Sequence, residues 1–472
     1  MYLRSRFFNF ILISFIIFNL PQAEAANKLN GKCLKAGITV KSGSTELICI
    51  KNGKKLIWQL NDWQTSSEWN NASTASNYST SVDNCKIKDL RTGSNIGVGA
   101  GSVGFPLRFN RMKPNGTVKV AIIPVNFPDS PKVNNPESYL KKYTTILNNR
   151  NNYLYGDRIK YEWTFLPEWL MMDKSAIYYA WDHPTVQSDG SRKSDGVNQL
   201  LSTEEQAGLI FSEAEKKLNL NEFDFFWIFT NPLEIRVPQG PEGDYRMNIK
   251  TKMSSNLSVN FYPIGNRVYS GKWGNWGIKG STLEDTLAHE MAHFHGMLQH
   301  APGNGWGWYI SNNPTWETWL VGWRPDSEFF CVDKNDSWKN VSFNLSSIDL
   351  NSTGYKSGVI KISDSQVLVI ESRRKGPFTT ALPQSFSGIT TYLVDTKKSG
   401  ERWDGNFDKE NDYYMAFLRI KGKSKPIPKY SNLAVWDENI LAKQGEKFEY
   451  GGVRIELVKS EDFDSIRLTK LD

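Results

Sequence analysis

The sequence predicts an α+β protein: a mixed sheet with helices packed on it, a β-rich C-terminal region, and a small disulfide-bonded β module in front. Three observations carry this. After residue 115, strand-forming apolar runs alternate with segments of helical texture. Beyond Cys331 the pattern changes to short alternating runs, such as Gly358 to Ile362, Val367 to Glu371 and Gly388 to Val394. Ahead of both, two β-prone runs, Glu46 to Lys51 and Lys55 to Gln59, flank Asn52-Gly53, the strongest short hairpin signal.

The chain opens with Arg4 and Arg6, an apolar run from Phe7 to Leu20, and Ala23-Glu24-Ala25. These are the marks of a secretory signal peptide, so the mature chain is expected to be exported and extracellular. No later segment reaches about 18 uninterrupted apolar residues, and no integral membrane segment is expected. Losing Arg4, Arg6 and Glu24 takes the net charge from +7 to +6, which is mild for this length. With no concentrated Lys/Arg face in view, nucleic acid is not expected as a partner. The four cysteines allow three pairings. Cys33 and Cys49 are close enough to staple the small module, while Cys85 and Cys331 bracket the histidine region, so these pairs are favoured. A Cys85 thiolate that silences a metal in a latent form is the alternative.

Residues 64 to 83 are dominated by Ser, Thr, Asn and Ala and read as a linker. Val118 to Val125 then predicts a strand, Glu137 to Leu147 a helix, Ile159 to Leu166 a strand, Thr203 to Leu218 a helix and Phe223 to Phe229 a very apolar strand. Ser281-Thr282-Leu283-Glu284 is a capping box, so a helix should begin near Thr282; Gly296 should stop it. Thr315 to Gly322 predicts a further helix.

The helix after that capping box carries His289-Glu290-Met291-Ala292-His293, in a stretch that holds four of the five histidines: His289, His293, His295 and His300. The i, i+4 spacing turns a helix by about 400°, which sets His289 and His293 on one face within reach of a single zinc ion. Glu290 then stands beside the open coordination position, where it can take a proton from a water whose pKa the metal lowers to about 7. Two core histidines would satisfy the spacing without a metal, but that reading leaves Glu290 unexplained.

Further segments surround this motif: Val120 to Asp129, Tyr155-Gly156-Asp157-Arg158-Ile159 with Glu162-Trp163, Trp316-Glu317 with Gly322-Trp323, and Glu371-Ser372-Arg373-Arg374. In that order, over roughly residues 115 to 460, the chain resembles the immune-inhibitor-A-type family of secreted bacterial zinc metalloendopeptidases. The resemblance implies a zincin-like catalytic domain followed by a β-rich domain, hydrolysing internal peptide bonds of protein or peptide substrates. The expected layout is signal peptide 1–25, β module 26–60, linker 61–84, catalytic domain 85–331 and β-rich domain 332–472. The β module lies outside the resemblance and is similar to short cysteine-containing modules of other exported bacterial proteins.

The family extends its motif through a glycine to a third ligand. Here Gly296 is in place, Gln299 stands at the ligand position and His300 follows one residue later. His300 is the favoured third ligand, with Glu317 as the alternative on the following helix. The resemblance also implies structural calcium, for which Asp404, Asp408, Glu410 and Asp412 offer oxygens; a solvated charged loop is the plainer reading. Tyr309 and His295 are candidates for stabilising an oxyanion, although His295 falls about 240° around the helix from His289, towards the interior. Seven of the 17 tryptophans (Trp273, Trp276, Trp306, Trp308, Trp316, Trp319 and Trp323) cluster nearby, as packing or as a cleft wall. Two rival functions remain open: a catalytically weak or inactive zincin-fold binding or adhesion protein, and a glycan-binding protein that uses the aromatic cluster.

Overall fold

The computed structural model of the chain describes residues 32–35, 39–42, 45–52, 55–60, 81–91, 101–108, 112–179, 184–186, 192–194, 201–233, 245–264, 283–297, 312–379, 387–398, 414–418 and 440–471. Residues 1–25, expected as a signal peptide, together with His183, His300, Tyr309, Trp273, Trp276, Trp306, Trp308 and the acidic residues from Asp404 to Asp412, lie outside these residues. The chain divides into two units, residues 1–70 and 71–472.

In the first unit, β1 (Thr39–Ser42), β2 (Thr45–Asn52) and β3 (Lys55–Leu60) form an antiparallel meander. The expected hairpin closes with Asn52 opposite Lys55. A three-stranded sheet this small buries little, so the Cys33–Cys49 disulfide packs with Trp58 to form its core.

The second unit begins earlier than the expected linker boundary, because Val82–Cys85 already forms a short 3₁₀ turn. It continues through β4 (Gly116–Asn126), α1 (Glu137–Tyr155), β5 (Ile159–Phe165), β6 (Leu170–Met171), β7 (Pro184–Val186), β8 (Arg192–Ser194), α2 (Thr203–Ala214), β9 (Phe225–Thr230), β10 (Tyr245–Ile249) and β11 (Leu257–Ile264). The sheet runs β10-β11-β9-β4-β5, with β6 also paired to β4; β7 and β8 form a separate ribbon. Every pairing in the main sheet is parallel except that of the edge strand β10. Helices cover both faces, which is why β9 reads as an unbroken apolar run. Its Phe225, Trp227 and Phe229 face one core, while Phe226 and Ile228 face the other.

On the first face lie α1 and α3 (Leu283–His295); on the second lies α2, closed by a Ser202–Glu205 capping box. Helix α1 continues past the expected Leu147 through an asparagine-rich stretch that propensity disfavours. Tertiary contact overrides it there: the Asn148 amide bonds both backbone groups of Tyr161 on β5.

After α4 (Thr315–Leu320) the chain becomes all β: β12 (Phe329–Asp333), β13 (Asn340–Leu345), β14 (Ser357–Ser363), β15 (Gln366–Arg374), β16 (Ser387–Asp395), β17 (Met415–Phe417), β18 (Ile440–Leu441), β19 (Lys447–Tyr450), β20 (Val453–Ser460) and β21 (Asp464–Lys470). One sheet runs β12-β14-β15-β16-β17 with β18 on β16, the other β13-β21-β20-β19. Period-2 alternation makes β15 serve two cores. Leu368 and Ile370 face the second sheet across a sandwich core, and Val367 and Val369 face Trp316, Trp319 and the Cys85–Cys331 pair. Both favoured disulfides are therefore present, and Cys85 is not a free thiolate. No helix among the described residues is long and apolar enough to cross a membrane.

Candidate metal centre

Helix α3 owes its seat to its own periodicity. Leu287, Ala288, Met291, Ala292 and Phe294 recur at helical spacing and bury against β4, β9 and α1. His293 and Glu290 fall outside that apolar set, and Glu290 is nonetheless buried. His289 lies one turn before His293 on the backbone; its side chain is outside the described ones.

The helix stops where the sequence places the stop. Gly296 takes φ 102°, its amide donates to the His293 carbonyl, and the Met297 amide donates to the Ala292 carbonyl. This is the Schellman arrangement, which a side chain with a Cβ would strain. The turn also brings the Met297 carbonyl within 3.2 Å of His293 Nδ1. A carbonyl can only accept, so the proton belongs on Nδ1 and the lone pair on Nε2, the nitrogen a metal would use.

The segment before β4 completes the end of the helix. The Met112 amide donates to the Phe294 carbonyl and the Ser102 amide to the Gly296 carbonyl, two acceptors that a helix terminus leaves open. His295 faces the interior as its helical position predicts. Its Nδ1 donates to the Lys113 carbonyl at 2.8 Å, so its Nε2 accepts from the Tyr161 hydroxyl at 3.0 Å. Complete burial pulls its pKa down to about 3, and the ring is held neutral. It is a support of the helix and makes no oxyanion donor.

Glu317, the alternative ligand, is buried on α4 and accepts a hydrogen bond from the Tyr414 hydroxyl. The two helices adjoin through the residues flanking α4: Asn313 Nδ2 lies 3.1 Å from Met297 Sδ, and Val321 and Trp323 share a core with Met291 and Phe294. The start of α4 is fixed from the β-rich region. Glu371 accepts from the amide and hydroxyl of Thr315 and from the Tyr392 hydroxyl, and Arg373 pairs with its other oxygen at 2.6 Å. Arg373 also donates to the Asn312 carbonyl, while Asn312 bonds Asp349 and Arg150. Trp316-Glu317 and Glu371 to Arg374, distant in sequence, thus meet in space.

Among the described residues no three histidine, cysteine or carboxylate side chains stand together as a metal site; the side chains of His289 and His300 lie outside that set. The ligand candidates that are described suit zinc, a part-buried imidazole with its tautomer set and Glu317 on the adjoining segment, and the buried Glu290 carboxylate stands one turn from that imidazole. Trp316, Trp319 and Trp323 are buried packing residues, so these three line no open cleft. Sequence reasoning missed Tyr414, Asn312 and Arg150, whose partners lie far away along the chain. Comparison with protein-family models, with curated proteins and with solved structures finds no match.

Proposed function

We propose that the protein is a secreted zinc-dependent endopeptidase that cleaves internal peptide bonds with Glu290 as general base. The observation that carries this reading is the pairing of a buried Glu290 with a tautomer-fixed His293 on one rigidly ended helix. His289 and His293 would hold the metal with either His300 or Glu317 as third ligand. The Tyr414 contact speaks for Glu317, since ligating carboxylates are themselves hydrogen-bonded; ligand type and the family resemblance speak for His300.

A bound zinc ion would supply Lewis acidity to the scissile carbonyl and the attacking water. Glu290, buried on the same helix, would accept the water's proton and pass it to the leaving amine. An extended substrate would find support on the sheet: among the described residues strand β10 is an edge, and the face of β10–β11 opposite the α2 core carries Arg246, Asn248 and Ser258, all exposed. Both disulfides accord with an oxidising, extracellular setting.

Metal analysis of the purified chain, with cleavage of denatured casein before and after chelation, tests the reading. Glu290→Gln should keep its zinc and lose roughly 10²–10⁴-fold in turnover, the span of general acid–base catalysis. Near-normal turnover in that variant would remove Glu290 from the mechanism, and absence of cleavage by the zinc-loaded wild type would leave the binding-protein alternative. Zinc content in His300→Ala and Glu317→Ala, measured separately, identifies the third ligand by which substitution loses metal.

A further inference from the structure

The charge of the chain is distributed very unevenly. Between residues 26 and 60 there are seven lysines and only Glu46 against them, a net of +6; residues 61–472 then balance to zero. The whole surplus outside the signal-peptide region therefore sits on the small disulfide-bonded module, which forms a unit of its own. Lys32, Lys35 and Lys55 are exposed there and make no ion pair among the described residues.

An apolar side chain stands among them. Leu34 is 98% exposed, although its neighbour Cys33 is buried and disulfide-bonded to β2. Its position is set by structure: Lys32 bridges antiparallel to Ile57, and the Cys33 amide donates to the Leu56 carbonyl. Leu34 follows that bridge at a bend, flanked in sequence by Lys32 and Lys35, and Lys55 precedes the strand residues that pair with the bridge, so this part of the module presents an exposed leucine together with three exposed lysines. We infer that this part is a docking surface for an anionic lipid bilayer, on which the module lies without spanning it.

The combination selects the partner. A soluble polyanion would neutralise the lysines and leave Leu34 in water. A bilayer with anionic headgroups satisfies both features, since lysines gain from the surface potential and the leucine enters the headgroup–acyl boundary. Neither signal alone anchors a protein firmly; a basic cluster and an apolar insertion together do. Adsorption of this kind weakens as salt shortens the Debye length. It makes no demand on the hydrolytic reading, because every residue invoked lies in the first unit.

The test is sedimentation of the full chain with vesicles of phosphatidylcholine, with and without phosphatidylglycerol, at low and high salt. Binding should require phosphatidylglycerol and fall steeply with salt. The triple variant Lys32→Glu, Lys35→Glu, Lys55→Glu should abolish it. Leu34→Ser should weaken it by roughly tenfold, the effect of withdrawing one leucine from an apolar environment. A non-reducing peptide map that retains Cys33–Cys49 certifies that each variant keeps the module folded. Equal sedimentation with purely neutral vesicles overturns the proposal. So does undiminished vesicle binding by Leu34→Ser together with equal binding of both proteins to dextran sulfate, which would make the module a general polyanion binder.

Discussion

The two helices that bear the candidate ligands are held in place by opposite chemistry. Helix α3 rests on apolar packing and on neutral contacts: the glycine turn, two amides from the segment before β4, and an uncharged His295 between Lys113 and Tyr161. Helix α4 is fixed by ions: Glu371 caps it, Arg373 pairs with Glu371, and Asp349 lies 3.8 Å from Arg373, all fully buried. The difference matters for how each fails. Neutral contacts can be removed singly at modest cost, whereas a buried charge stripped of its partner is severely destabilising.

The largest effect should therefore come from the charged side. Arg373→Met leaves Glu371 buried without its cation and should cost about 3–5 kcal/mol in urea unfolding. Adding Glu371→Gln to that variant should restore part of the loss, because the orphaned charge goes with it. A cost below about 1 kcal/mol for Arg373→Met would mean that ion pairing does not hold α4. The next effect concerns the tie between the two regions. Replacing Cys85 and Cys331 together by alanine should cost about 2–5 kcal/mol. Hydrogen exchange should then quicken at the Gly296 and Met297 amides, whose neighbours belong to the segment that Cys85 anchors, more than at β20 and β21.

Much of this arrangement was legible in the sequence wherever it depends on near neighbours. The apolar runs gave β4, β5 and β9 to within a residue or two, Gly296 marked the end of α3, and nearness sorted the disulfides. What resisted reading depends on distant partners. Nothing local in Glu371 says that it caps a helix 56 residues earlier, and nothing in Asn148 says that it fastens α1 to β5. The β-rich region likewise begins at Phe329, before the expected boundary, because β12 pairs with β14 further along the chain. One signal was present but averaged away: a net charge spread over the whole chain hides a module that carries the entire surplus.

On the neutral side, Tyr161→Phe removes the hydroxyl that donates to His295 Nε2 and leaves that nitrogen buried without its partner. The expected cost is about 1–3 kcal/mol. Because the pair is uncharged at neutral pH, the loss should not vary with salt. A strong salt dependence would show that His295 is an imidazolium after all.

The smallest effect separates the regions by pH. Lys356 is buried in the β-rich region near Arg324, Glu328 and Asp349, and its ammonium meets the Ser347 and Leu350 carbonyls and the Ser352 hydroxyl at 2.8–2.9 Å. Burial pulls its pKa down to about 7 from 10.5. Between those values the unfolded chain binds the proton and the folded chain does not, so this group makes stability rise with pH from about 7 to 10.5 and contributes no slope below. The full shift would amount to roughly 5 kcal/mol at 1.36 kcal/mol per unit. Three oxygen acceptors match the three donors of the charged form and oppose the shift, so the rise is expected to fall well short of that bound. Urea unfolding at pH 7 and pH 9.5 measures it, and Lys356→Met should flatten the difference while Tyr161→Phe leaves it intact. If both variants keep the wild-type slope, the alkaline response arises from a group other than Lys356.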